Sequence, residues 1–206
     1  GTGNYNDQLM EQIADVGNGN YAYIDTLNEA QKVLVDEMNY TILTIARDVK
    51  IQIEFNPAVV SEYRLLGYEN RLLNLEDFNN DKIDAGEIGA GHTVTAIYEI
   101  SLNSKGNRID PLRYQSDGQM DINAEEIAFL RLRYKEPEAD KSKLLEWVIG
   151  KNEITQDIAD TSNAFRFAAA VASFGQQLRG GNNTGDFSYD DIARLAQQAR
   201  GEDPFG

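Results

Sequence analysis

Residues 67–100 read GYENRLLNLEDFNNDKIDAGEIGAGHTVTAIYEI, and the fold turns on how this stretch is understood. An acidic loop punctuated by glycine runs directly into an alternating segment. From His92 to Leu102, Val94, Ala96, Tyr98, Ile100 and Leu102 fall on one face, and Thr93, Thr95, Ile97, Glu99 and Ser101 on the other. Period-two alternation of this length predicts a β-strand with one buried face.

Upstream, Val49, Ile51, Ile53 and Phe55 alternate with Lys50, Gln52 and Glu54 and stop at Asn56-Pro57, a second strand with one buried face. Val49, Ile51, Ile53, Phe55, Val94, Ala96, Tyr98 and Ile100 are therefore expected in one common core, with Lys50, Gln52 and Glu54 outward. Residues 61–68 form a further strand candidate. Asn103 to Asn107 reads as a turn and 108–123 as polar loop. Downstream, Ile127 to Tyr134 alternates again, and Lys143 to Ile149 is another candidate strand. Short strands joined by turns, without helical crossovers, predict an antiparallel sandwich-like arrangement.

The ends of the chain are helical in pattern. Asn6 caps a helix bearing Leu9, Met10, Ile13 and Ala14, which stops at the Gly17-Asn18-Gly19-Asn20 turn. Tyr21 to Ile24 is a short strand candidate. Thr26 and Glu29 open a long helix carrying Leu27, Ala30, Leu34, Met38 and Ile45. Near the other end, Phe167, Val171, Phe174 and Leu178 recur at helical spacing among alanines and read as core, with Gly180-Gly181 as the stop. Ser188 caps a last helix with Ile192, Leu195, Ala196 and Ala199 inward, ended by Gly201 and Pro204.

The net charge of −15 over 206 residues disfavours nucleic acid and anionic membrane as partners. The 41% apolar content is enough for a real core. With no cysteine, disulfides, thiolate metal sites and cysteine nucleophiles are ruled out. No apolar run reaches membrane-spanning length, so direct membrane insertion is not expected.

GTGNYNDQLMEQIADVGNGNYAYIDTLNEAQKVLVDEM resembles the C-terminal end of a bacterial von Willebrand factor type A domain. VKIQIEFNPAVVSEYRLLGYENR, EDFNNDKIDAGEIGAGHTVTAIYEI and DFSYDDIARLAQQARGEDPFG are similar to the uncharacterised C-terminal domain that follows it in one bacterial family. The resemblance implies an α+β protein. Residues 1–46 would be a truncated α/β type A remnant, and 47–206 an antiparallel β-sandwich-like domain closed by helices over about 160–206. It also implies an extracytoplasmic protein of the cell envelope, periplasmic or surface-exposed, lipid-anchored through an N-terminus outside this chain. The adhesion-site Asp-x-Ser-x-Ser run of type A domains is absent from these residues. A divalent cation would belong to the missing half of that domain, and no cofactor is expected in this chain.

The acidic loop invites a calcium reading. Asp77, Asn79 and Asp81 stand at positions 1, 3 and 5 of an EF-hand-like loop, with Asp84 and Glu87 as further oxygen donors. Lys82 stands where the loop glycine belongs, and Ile88 where the bidentate Glu belongs, so a solvated turn is the preferred reading. Asp84 and Glu87 also imitate a glycosidase carboxylate pair. His92, the sole histidine, would have to serve any Ser-His-Asp relay, but it reads as structural. Trp147 and the tyrosines read as packing aromatics.

The favoured function is a non-catalytic protein–protein interaction or scaffold module of the cell envelope, with an unidentified protein partner. The alternatives are a calcium-dependent binding module using the 76–88 loop and a carboxylate-dependent hydrolase. The apolar stripe of residues 27–45 lacks a type A sheet to cover it, so residues 1–46 are expected to pack on another copy of the chain, on the sandwich-like domain, or to stay poorly ordered, with self-association the favoured outcome.

Overall fold

The computed structural model describes residues 5–17, 19, 21–38, 43–67, 72–83, 85–103, 125–181 and 184–201. It is a mixed α/β fold with two antiparallel sheets and a C-terminal helix pair. Six strands are described: β1 (Thr44–Phe55), β2 (Val60–Leu66), β3 (Gly86–Gly89), β4 (Ile97–Leu102), β5 (Glu126–Lys135) and β6 (Lys143–Gly150). One sheet has the order β3-β1-β5-β6, and the other pairs β2 with β4. The larger sheet is open, ending on β3 and β6, and does not close into a barrel.

Asn56 turns the chain from one sheet to the other. Its N–H donates to Ile127 O at 2.8 Å and its side-chain amide to Glu126 O at 2.7 Å, fixing it to β5. Its own carbonyl accepts from the N–H groups of Val59 and Val60. This places Val59 and Val60 against Ile127 and Ala128, with Ile53, Phe55 and Ile149 packed around them. Each such aliphatic side chain contributes about 1.5–3 kcal/mol when buried. The Phe55 ring continues the contact into the second sheet, 4.7 Å from Tyr63 and 5.4 Å from Tyr98.

The C-terminal helices follow their caps. Helix α1 spans Asp7–Val16 and α2 spans Leu27–Gln31; α3 covers Asn163–Leu178 and α4 covers Tyr189–Ala199. Ser162 accepts from Phe165 N at 3.1 Å to start α3, and Gly180 and Gly181 end it with φ of 109° and 68°. Ser188 and Asp191 cap α4 reciprocally. Helices α3 and α4 pack on each other, and Ala170 of α3, 1% exposed, and Ile192 and Ala199 of α4 are buried. Arg64 of β2 ties α3 to the smaller sheet, donating to Gln176 at 2.8 Å and to Glu99 of β4 at 2.5 Å.

Several expectations are corrected. The strand proposed from His92 begins only at Ile97, and residues 92–96 are exposed. Its partner explains this: the β2–β4 ladder ends at Leu66↔Ile97, because β2 turns away at Gly67 with φ 82°. Among the described residues no strand pairs with Val94 and Ala96, which are exposed, and Ile100 is also exposed.

The burial expected of β1 is partly reversed, since Lys50 is 3% exposed and Ile51 47%. Register slips between Arg47 and Lys50, where Asp48 takes φ 51°, and the 75–83 turn covers the Lys50 face. A bulge and a covering loop override simple alternation.

The acidic loop itself contains a 3-10 turn (Leu75–Asp77) and, unforeseen, strand β3, which pairs with the first half of β1.

The first 46 residues differ as well. Tyr21 to Ile24 form no strand; Tyr23 stacks on Tyr5, and the Tyr21 hydroxyl donates to Asp7. Asn6 and Thr26 do cap their helices, accepting from Leu9 N and Glu29 N. The expected long helix is α2 followed by one π-helical turn (Lys32–Asp36), and Ile45 already belongs to β1. Thr44, Ile45 and Val49 are β-branched, which favours strand over helix at this point. The turn and polar loop expected over 104–123, and Pro204, lie outside the described residues.

Candidate interaction surface

The loop read as a calcium candidate faces protein cations. Lys50 Nζ donates to Asp77 O at 3.1 Å and to Asn80 O at 2.5 Å. Arg133 reaches Asn79 Oδ1 at 3.1 Å, and Lys135 reaches Asp81 O at 2.8 Å. One Asp77 carboxylate oxygen accepts from the Asn74 side chain. Asp81 Oδ2 accepts from Ser142 N, and the Ser142 hydroxyl first, then this backbone contact, with Lys135 and Arg133 nearby, hold its carboxyl below the usual range. Phe78, buried beneath the loop, lies under the Arg133 guanidinium.

These oxygens therefore point to three side chains on the sheet and not to one shared centre. Glu87 is exposed on β3, and its expected carboxylate partner, Asp84, lies outside the described residues. Among the described residues, no group of three or more His, Cys, Asp or Glu could hold a metal. His92 is exposed at a turn, its N–H donating to Gly89 O at 3.0 Å.

An apolar cavity of about 340 Å³ opens where the two sheets meet α3, lined chiefly by Ile53, Phe55, Tyr98, Ile127, Ile149 and Phe165. The carboxylate at its rim, Glu153, accepts from Gly150 N at 3.1 Å. Burial, and then the Tyr63 ring, raise the Tyr98 phenol pKa. The composition of this cavity fits apolar contact, with no convergent polar groups for chemistry.

The largest departure from expectation is on α3. Phe167, Val171, Phe174 and Leu178 were expected in a core, yet they are 42%, 56%, 46% and 66% exposed. The helix buries the flank next to them, at Ala170, against α4 and turns Gln176 toward Arg64. Close approach through alanine leaves the bulkier stripe outside. On β6, Leu144 and Val148 on one face and Leu145 and Trp147 on the other are all exposed. Residues 150–165, which carry Ile154 and Phe165 to the cavity, had no motif to announce them.

A family model described as "Uncharacterized protein YfbK, C-terminal" matches residues 40–206. The chain belongs to this family. It is 50% identical over 208 residues to the uncharacterized protein YfbK of Escherichia coli (strain K12), a match that takes in all of this chain. The chain spans 35% of the length of that relative. No solved structure matches. Among the described residues, no helix is long and apolar enough to cross a membrane.

Proposed function

We propose that the chain is a non-catalytic interaction or scaffold module of the cell envelope, its residues 47–206 acting as a sandwich-like domain behind a type A remnant at 1–46. The observation that carries this reading is the α3 stripe, four large apolar side chains at helical spacing, each 42–66% exposed, with Phe174 meeting the Tyr189 ring edge-on. Full burial of such a group is worth about 1.5–3 kcal/mol, of which the half-exposed stripe forgoes a part, and contiguous exposed patches of this kind mark binding surfaces. The loop geometry supports the non-catalytic side, because its oxygens serve Lys50, Arg133 and Lys135. The family match supports placing the module behind a larger upstream region, as in the longer relative.

A photo-crosslinking side chain at Val171, compared with one at Asp186, tests the reading in cells expressing the full-length protein. Discrete protein adducts from position 171 alone are expected. Equal or absent adducts at both positions would remove the basis for an interaction surface on α3. Fractionation in the same cells reports whether the protein resides in the envelope.

A further inference from the structure

The cavity between the two sheets and α3, about 340 Å³, falls in the size range of small-ligand sites, roughly 300–1,000 Å³. Beside its aliphatic wall it gathers three aromatic rings, Phe55, Tyr98 and Phe165, from the two sheets and the helix. Phe55 and Tyr98 stand edge to face, their centroids 5.4 Å apart. The Tyr98 phenol, its pKa raised by burial and then by Tyr63, is uncharged at neutral pH.

Among the lining residues only Glu153 is ionised. Its Oε1 accepts from Gly150 N at 3.1 Å, which fixes the carboxylate at the rim. Its Oε2 has no hydrogen-bond partner among the described residues. No lysine or arginine among those residues lines the cavity. The segment from Glu153 to Phe165 adds Asp157 and Asp160 and no cation. Arg166, just beyond it, is bound to the carbonyls of Ala159 and Thr161. The mouth is therefore negative, as is the chain as a whole at −15.

An anionic ligand would meet this field with the wrong sign. A purely apolar one would leave the carboxylate and the neighbouring rings without a counterpart. An ammonium suits both, because it pairs with a carboxylate and is attracted to aromatic ring faces. We propose that this cavity binds a small ligand built of an apolar body and one ammonium group, with the body against the isoleucines and the ammonium beside Glu153. None of the four stripe residues of α3 lines the cavity, so this site is independent of the interaction surface proposed above.

The probe is phenylbutylammonium, compared with phenylbutanol, which keeps the body and removes the charge. Ligands of this size bind a modest apolar cavity at millimolar concentration. Titration of the purified chain, followed by the methyl signals of Ile53, Ile127 and Ile149, should give saturable shifts with both. The ammonium should bind at least about fivefold more tightly than the alcohol. Glu153→Gln keeps an oxygen for the Gly150 N–H and removes the charge, so most of that preference should disappear while alcohol binding stays. Phe165→Ala, at a half-exposed position, should weaken both ligands. Should Glu153→Gln fail to fold by circular dichroism, the N-acetylated amine on the wild-type chain replaces it and should bind no better than the alcohol. Absence of methyl shifts, an ammonium that binds no tighter than the alcohol, or a preference left unchanged by Glu153→Gln or by acetylation would overturn the proposal. So would a folded Phe165→Ala chain that binds both ligands as the wild type does.

Discussion

Lys50 Nζ lies 2.5 Å from the main-chain oxygen of Asn80, so a lysine in the middle of β1 holds the acidic turn onto the sheet. The same ammonium donates to Asp77 O. The lysine is among the most buried of the described residues, and its polar end is satisfied by carbonyls of the loop that the sequence reads as a solvated turn, with calcium as the alternative. An internal ammonium takes up oxygens that a metal would otherwise compete for.

Lys50→Met keeps the stem and deletes the donor. Hydrogen bonds to a charged group contribute about 1.5–3 kcal/mol, so a loss of about that size is expected in urea unfolding. Unchanged stability would mean that the turn is held by Phe78 and Arg133 without help from Lys50.

Calcium should have little to offer this loop. Asp81 O, Asn79 Oδ1 and the Asp77 and Asn80 carbonyls already serve three cationic side chains. Titration with millimolar calcium should leave the melting temperature where chelator leaves it. A rise with calcium that Asp77→Ala abolishes would revive the calcium-dependent module.

How much of this was legible follows from where the interactions are local. The helix caps at Asn6, Thr26 and Ser188 are readable because each needs only a side-chain oxygen and an N–H three residues on. The strands β5 and β6 are readable because they run together as one regular ladder from Ala128↔Ile149 to Tyr134↔Lys143. The register of β1 was not, since the Asp48 bulge and the covering turn depend on residues some 30 positions away. Strand β3 was hidden in GEIG, which becomes a strand only against Thr44 to Val49. The α3 stripe misled because periodicity shows that apolar groups share a side. It does not show that anything covers them.

Acid should loosen α4 and the 75–83 turn. Asp191 is held below the usual carboxylate range by the Ser188 side chain first, then its backbone N–H and Arg194. Asp81 is lowered in the same direction. A folded-state carboxyl with a depressed pKa contributes stability that is present above the unfolded value of about 3.9 and disappears as pH falls through the folded one. Stability should thus decline below about pH 4, with Asp191→Asn flattening part of the slope. The Ser188→Ala variant should lose about 1 kcal/mol at neutral pH. An acid slope identical in wild type and Asp191→Asn would show that this cap does not sense pH.

The last expectation separates a surface stripe from a core stripe on α3. Val171 and Leu178 are more than half exposed, so Val171→Ser with Leu178→Ser removes little buried area. Surface substitutions away from caps and networks usually change stability by less than about 0.5 kcal/mol each. Ala170, a single residue away, sits 1% exposed against α4, and Ala170→Leu must push the helices apart. Overpacking of that kind costs about 1–3 kcal/mol. The serine pair should therefore unfold at nearly the wild-type urea midpoint while binding less of a hydrophobic dye. Ala170→Leu should unfold at a clearly lower midpoint. If the serine pair proves the more destabilised, Val171 and Leu178 are covered in solution, and the helix face assigned to a partner is already occupied by the chain itself.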